Sequence, residues 1–589
     1  MTTREHASLE LVASKPTPEA VVNLGSLAAC FGLDVQHTDV ESFVGRLAEP
    51  RQIRLLGAAR SAIAIDVASV ARSPDHVVDS IVAALRVWPQ HKLFLLTAAD
   101  ARCQEVLARL TDRAVGRAVV HDGSTAIRFP TKPTATDIPL QAFSFERARA
   151  ASIALAVDND SVETLMAIDD DPSFVRLRGP VSPSFVWATP QVIDAGRSIS
   201  VESEFELALD QYLPAITFFR QAFGEACWHS PVLAAGLIID DPLLVRKYGL
   251  VDFTGLLKSA RSVGYRVTLA FIPWNHWRVG RRQASLFSAQ KDVFSVCIHG
   301  CDHTHHEFGG ADEDDLFSRS LTAVERMKRL CSAHQLPLEP VMVFPQEKYS
   351  HEAVRAVART GAFAAIANTR LIPTSGTGPA MTVSDLLTPA QDRLHGMPIF
   401  KRHYFTSMRD LALSLYLGRP AIMACHHTDF RDGAAKAESF ASELIRLGSS
   451  IRWLPLAEMV SQVHWRRWAA PNRLEIRFFG ETVVFDSGIE EACTVRLSRR
   501  VPENRAVQAV AFDGAAVAFE HSGEFVVAEV SGCAPGVHNL RLALAPPAVQ
   551  VRVGRSFNYQ LAVAVRRFLS ELRDRVVTAV SNVHKVTHR

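Results

Sequence analysis

Apolar and polar positions follow three successive rhythms along this chain. Over the first third, short apolar runs alternate with stretches of helical spacing. Residues 61–66 (Ser-Ala-Ile-Ala-Ile-Asp), 92–97 and 117–121 read as strands, with amphipathic helices at 77–87 and 101–110 between them. Residues 152–157 and 184–188 read as further strands of the same layer. This alternation predicts an α/β domain over 1–200 built on an open, mostly parallel sheet. Within 202–223, Leu207, Tyr212, Leu213, Ile216 and Phe219 recur mostly every three or four positions, predicting one long helix inside a helical linker at 201–230.

A second strand–helix rhythm runs from 235 to about 463. Strands are expected at 236–240, 266–271, 293–299, 341–344, 363–367 and 421–425, with helices such as 315–333 and 351–360 between them. At least six strands in this order predict a (β/α) barrel, complete or distorted, over 231–465. After Pro471 the texture changes to short strands at 473–478, 482–485, 493–497, 507–512, 525–530 and 536–543, divided by Gly, Pro and Asp turns. That pattern predicts a β-sandwich over 466–555. The segment 556–589 closes with a basic amphipathic helix at 557–586, whose apolar stripe is Phe557, Leu561, Val565, Phe568, Leu569, Leu572, Val576, Val580 and Val583. Arginines interleave with acids in its middle, so packing on this protein or on a second subunit is expected ahead of a membrane surface, and a homo-oligomer stays open.

Composition narrows the class. The 589 residues are too many for one core and suggest about three to four domains. With 48% apolar and 21% charged residues, the chain reads as an ordinary globular protein. A formal charge of only +2 gives no reason to expect nucleic acid as a partner. Residues 1–18 are polar, without the apolar core of a secretory signal, and no apolar run reaches the ~18 residues of an integral membrane segment. The nine cysteines are scattered and form no C-x-x-C pair, which supports neither a disulfide framework nor a zinc ribbon. A cytoplasmic location is the default expectation. Neither G-x-G-x-x-G nor a P-loop occurs in the first third, so nucleotide binding has no support there.

The candidate chemistry lies where barrel strands should end. Residues 235–242, Ala-Gly-Leu-Ile-Ile-Asp-Asp-Pro, run from an apolar strand into Asp240 and Asp241. Adjacent carboxylates on extended backbone point in different directions, so one can hold a metal while the other handles protons; the bland alternative is a turn. A second strand ends in His299-Gly-Cys-Asp-His303-Thr-His305-His306. Two imidazoles four apart converge on one ion if Gly300 permits a tight loop. His305 and His306 are read as surface residues. The third strand ends in Cys425-His426-His427-Thr-Asp429, where alternation lets one histidine face the site; His426 is preferred, and His427 is kept as a substrate contact.

These residues, in this order, resemble the motifs of the polysaccharide deacetylase superfamily (NodB-homology, carbohydrate esterase family 4) over about residues 232–465. The resemblance implies a distorted (β/α) barrel that removes acetyl groups from N-acetylated sugars with a divalent metal. It makes Asp240 the general base, Asp241, His299 and His303 the metal ligands, and His426 the general acid. It also makes 343–350, with Pro345 and Tyr349, a substrate loop, and it implies an arginine that orients the base, which no motif here places; Arg402 is put forward for it without one. The sequence departs from the family at Ile238-Ile239, where Thr-Phe is usual, at Pro242, where Gly is usual, and at Gly300, where Ser or Thr is usual; these mark a divergent member.

An Asp-His-His set suits Zn²⁺ and tolerates Co²⁺, Ni²⁺ or Mn²⁺. Trp274, after the strand at 266–271, is a candidate for stacking on a sugar ring. The expected partner is a carbohydrate or another N-acetylated substrate. Two other classes remain: a metal-dependent hydrolase of a different amide or ester, and a non-catalytic glycan-binding protein that keeps the barrel.

Overall fold

The computed structural model describes residues 6–47, 60–87, 92–130, 140, 142–158, 160–178, 184–245, 251–448, 450–488, 490–501, 505–545, 557–569 and 572. Its first sheet comprises β1 (Ser8–Ala13), β2 (Asp34–Asp39), β3 (Ser61–Asp66), β4 (Leu93–Thr97), β5 (Val115–Arg128), β6 (Ser144–Val157), β7 (Val162–Ile168), β8 (Asp171–Leu177) and β9 (Ser184–Ala188). Their order is β2-β1-β3-β4-β9-β8-β7-β5-β6. Neighbours are parallel from β2 to β9. Beyond β9 every neighbour is antiparallel. The expectation of a mostly parallel sheet therefore holds for one half only. Between β7 and β8 lies Asp169-Asp170, with Asp169 at φ 53°. A two-residue turn with a left-handed residue returns the chain antiparallel at once, leaving no room for a crossover helix.

The single long helix expected at 202–223 is divided into Glu202–Glu206, a 3-10 turn Leu209–Gln211 and Leu213–Phe223. Pro214 sits in the first turn of the last piece. There its missing N–H costs nothing, whereas inside a continuous helix it would remove a hydrogen bond and clash with the preceding turn. The strand pair β10 (Ser198–Ile199) and β16 (Met381–Thr382) ties this connecting region to the barrel.

The barrel consists of β11 (Ala234–Asp240), β12 (Val267–Phe271), β13 (Phe294–His299), β14 (Leu338–Val343), β15 (Ala365–Asn368), β17 (Ile399–Tyr404) and β18 (Ala421–His426). All neighbours are parallel, and β11 pairs with both β12 and β18, so the seven strands close. A short β19 (Arg452–Trp453) joins the start of β11 from outside. Such strands are covered on both faces, which is why they read as continuous apolar runs. Ile238, Ala270, Cys297, Val343, Phe400 and Ile422 belong to one buried cluster. The two-residue period of a strand puts Asp240 on the face of Ile238, His299 on that of Cys297, Arg402 on that of Phe400 and His426 on that of Ile422. Four polar side chains thus share the lining of one barrel mouth. Strand β17, which carries Arg402, is absent from the expected set.

The C-terminal sheets are β20-β21-β23-β27-β26 and β22-β28-β24-β25, from β20 (His464–Ala470), β21 (Arg473–Phe478), β22 (Thr482–Asp486), β23 (Cys493–Arg500), β24 (Val507–Phe512), β25 (Ala515–Val517), β26 (Phe519–Ser522), β27 (Phe525–Cys533) and β28 (Val537–Leu544). Leu474, Ile476 and Val495 of one sheet share a core with Val483, Leu540 and Leu542 of the other, as a sandwich requires. The unpredicted β20 straddles the expected boundary at 465–466.

Residues 557–569 are helical, and of the apolar stripe expected to pack on this protein or on a second subunit, Phe557, Leu561, Val565, Phe568, Leu569 and Leu572 are exposed. The helix docks through other positions: Val563 is buried, and the Tyr559 hydroxyl donates to Asp302 at 2.9 Å. Val576, Val580 and Val583 lie outside the described residues. The nine cysteines are free thiols, and no helix among the described residues is long and apolar enough to cross a membrane.

Candidate metal centre and active site

Asp241 follows the last residue of β11 at φ 74°, a left-handed conformation that aspartate tolerates better than most residues. Its side chain turns into the barrel mouth, where Oδ1 lies 3.4 Å from His299 Nε2 and 3.2 Å from His303 Nε2. His299 Nδ1 is 3.1 Å from the Val343 carbonyl. A carbonyl only accepts, so Nδ1 carries the proton and Nε2 presents its lone pair toward Asp241. Burial pushes His299 down to about 4, keeping the ring neutral near pH 7. Burial also raises the Asp241 carboxyl, but His303, His426 and His299 outweigh it and hold the group well below the usual carboxylate range. Buried Asp241 Oδ1 has no hydrogen-bond donor.

Electron pairs from an anionic oxygen and an imidazole therefore face one another with no proton between them. That arrangement costs free energy unless a cation sits in the middle. With metal–ligand bonds of ~2.0–2.2 Å, tetrahedral donors stand ~3.3–3.5 Å apart. The observed separations of 3.2 and 3.4 Å match that edge. Asp241, His299 and His303 thus form a group able to hold a divalent ion.

The loop that delivers His303 is wound around Glu307, which sequence reasoning did not single out. Glu307 Oε2 accepts from the N–H groups of Cys301 (3.2 Å) and His303 (3.0 Å), and Oε1 accepts from that of Asp302 (2.7 Å). Left-handed φ values of 61° at Gly300 and 55° at His303 make the winding possible. The three N–H donors account for the buried Cys301, Asp302 and Glu307 cluster without an ion. Asp302 is held in turn by Arg326 (2.5 Å) and Tyr559. The only signal in the sequence was a carboxylate four residues after His303.

Arg402, 1% exposed, forks onto Asp240: Nη1 donates to Oδ1 at 2.9 Å and Nη2 to Oδ2 at 3.3 Å. His426 lies on the open side, 40% exposed, with Nε2 3.1 Å from Asp241 Oδ2 and Nδ1 2.9 Å from the Thr428 hydroxyl. His427 is 3% exposed. Of the other predicted contacts, Pro345 packs against Gly300, whose added Cβ would lie 2.4 Å from Pro345 Cγ. Tyr349 is fully buried, stacks on Phe344 and donates to the Arg370 carbonyl, so its ring packs in the core and does not line the mouth. Trp274 is half-buried beneath the Arg326 guanidinium, 5.2 Å from its ring centroid. That contact engages one face of the ring expected to stack on a sugar.

Beside Arg402 opens a cleft of about 890 Å³. Glu347, Arg370 and Tyr404 line it from the barrel, and Glu146, Glu202 and Glu206 line it from the preceding part of the chain. Lys401 binds Glu202 and Glu206 there, and Ile372 N donates to Glu202 at 2.9 Å, so the two walls are tied together.

No protein-family profile and no curated protein matches the chain. Among solved structures, it is similar to a family 4 carbohydrate esterase from Streptomyces lividans in complex with acetate, at 12% identity over 38% of this chain and 91% of that one, with a TM-score of 0.23. It is also similar to the esterase domain of a multidomain xylanase from the hindgut metagenome of Trinervitermes trinervoides, at 10% identity over 36% and 82% of the two chains, with a TM-score of 0.22. A third is a pseudoenzyme of the same esterase family from Bacillus anthracis, at 13% identity over 38% and 64%, with a TM-score of 0.24. What the chain itself shows is a closed parallel barrel of seven strands with Asp240, Asp241, His299 and His426 gathered at its mouth.

Proposed function

We propose that the chain is a metal-dependent hydrolase that removes an acyl group, in the first instance acetyl from an N-acetylated sugar. The observation that supports it best is buried Asp241 Oδ1, without a hydrogen-bond donor, at tetrahedral-edge distances from two imidazole nitrogens. Asp241, His299 and His303 would hold a divalent ion, Zn²⁺ by the chemistry of the donors, and that ion would supply electrophilic activation of a carbonyl and acidify water. Asp240 takes the proton of the attacking water, its oxygens fixed in direction by the Arg402 fork. His426 stands across Asp241, open to solvent, and donates a proton to the departing nitrogen, which leaves poorly as an anion. Each proton transfer by a positioned group contributes ~10² to 10⁴-fold. The cleft beside Arg402 holds the remainder of the substrate; its carboxylates, guanidinium groups and exposed Tyr404 ring suit a hydroxyl-rich molecule.

The test is acetate release from a panel of N-acetylated sugars and nucleotide sugars, with and without chelator, on three proteins. The wild type should turn over at least one of them and stop when the metal is removed. Asp241→Ala should lose the metal, and Asp240→Asn should keep it while losing turnover. A wild type that binds no divalent ion, or an Asp240→Asn variant as active as the parent, would refute the reading.

A further inference from the structure

Asp241 has two carboxylate oxygens, and they face different histidines. Oδ1 is directed at His299 and His303, whereas Oδ2 lies 3.1 Å from His426 Nε2. Asp241, His426 and His427 also form a group of their own, with ligand atoms all within 4.8 Å of one another. It overlaps the first group in Asp241 alone. The rings of His426 and His427 have centroids 3.9 Å apart and are inclined by 36°, and the second ring is fixed by burial. A carboxylate can bridge two ions, one on each oxygen, and paired ions in hydrolytic sites sit ~3.5–4 Å apart.

We propose that Asp241 is such a bridge, and that Asp241 Oδ2, His426 and His427 make a second, weaker site for an imidazole-loving divalent ion such as Zn²⁺. Two features make it the weaker one. The first ion already neutralises the shared carboxylate and repels a second cation. His426 is also 40% exposed, so water competes for the position, whereas His299 is 3% exposed. Occupation has a functional consequence that rests on the proposed reading of His426: an ion on Nε2 takes the lone pair that otherwise carries the proton for the leaving nitrogen. The second ion is therefore inhibitory, and the chain responds to excess metal by shutting its own proton donor.

The experiment uses the tag-free full chain, stripped with chelator and titrated with Zn²⁺. Heat of binding is followed by calorimetry and bound metal by atomic spectroscopy. The wild type should take up two equivalents with dissociation constants at least tenfold apart. His427→Gln should lose only the weaker, and Asp241→Ala both. Because His427 is buried, His426→Gln provides a second test from the solvent side and should also leave one equivalent. A wild type that saturates at one equivalent overturns the proposal, as does a second equivalent that survives in both histidine variants or disappears instead in His306→Gln. Where the wild type is active, acetate release should rise to the first equivalent and fall across the second, and the fall should vanish in His427→Gln. Uptake of two equivalents without turnover would sink the hydrolase reading and leave the second site standing. One equivalent with turnover would do the reverse.

Discussion

Replacing Gly300 by serine, the residue type the resemblance leads one to expect there, tests how tightly the metal loop is built. At φ 61° Gly300 occupies backbone space that costs an L-residue ~1–2 kcal/mol. A Cβ would stand 2.4 Å from Pro345 Cγ, 2.6 Å from Glu307 Oε2 and 2.9 Å from Pro345 Cδ. Ordinary contact begins at 3.4 Å, so the proline ring or the loop must move by about an ångström. Overpacking of that kind costs ~1–3 kcal/mol. The two terms together predict ~2–5 kcal/mol, shared between global stability and the placement of His299 and His303 on either side. Urea unfolding of the metal-free protein should show the stability loss. Zinc calorimetry should show affinity reduced at least tenfold, the equivalent of ~1.4 kcal/mol. Gly300→Ala, with the same Cβ and no hydroxyl, should behave alike. Unfolding energies within ~0.5 kcal/mol of wild type, with unchanged zinc affinity in both variants, would show that the loop yields freely and that the packing argument is wrong.

Three further outcomes are expected. Glu307→Gln leaves one amide oxygen to serve three N–H groups, so zinc affinity should fall ~10–100-fold with the ligands untouched, as for other residues that orient a ligand from behind; calorimetry decides. Arg402→Met removes the fork from Asp240: zinc affinity should stay within a few-fold while acetate release drops by ~10² or more, and Arg402→Lys should restore little because an ammonium cannot grip both oxygens. Burial pushes His464 from 6.5 down to about 4, so between those values the unfolded chain binds a proton that the fold refuses. Stability should therefore decline as pH falls from 6.5 toward 4, by about 3 kcal/mol at most from this residue. His464→Gln should flatten that part of the denaturation profile, and an unchanged slope would remove His464 as its source.

Local pattern made much of the architecture legible. The helices at Ala101–Leu110 and His351–Thr360 and the strands Ser184–Ala188 and Arg473–Phe478 fall where apolar spacing puts them. Their signals are short-ranged, so a window of sequence contains them. The misses have equally local explanations. The hairpin from β7 to β8 hides behind Asp169-Asp170, and Pro214 divides an otherwise periodic helix. Strand β17, Ile-Phe-Lys-Arg-His-Tyr, puts Lys401 and Arg402 in its middle, which breaks the apolar run that marks the other barrel strands. Both cations are buried, because Glu202, Glu206 and Asp240 arrive from far along the chain to neutralise them.

The sequence by itself put Asp240, His299 and His426 at strand ends and fixed the face each presents, because side chains on extended backbone alternate with a period of two whatever surrounds them. It also determined which donor groups are on offer, since the order of two carboxylates, two strand-end histidines and the loop residue His303 is written in the chain. Tertiary structure alone decided that they meet. Arg402 and Asp240 are 162 residues apart, and His426 and Asp241 are 185 apart, yet barrel closure brings each pair into hydrogen-bond contact. It alone assigned Glu307 to the loop behind His303 and turned the apolar stripe at 557–572 outward. No local rule fixes those distances, because contacts between distant segments depend on which strands become neighbours when the sheet closes.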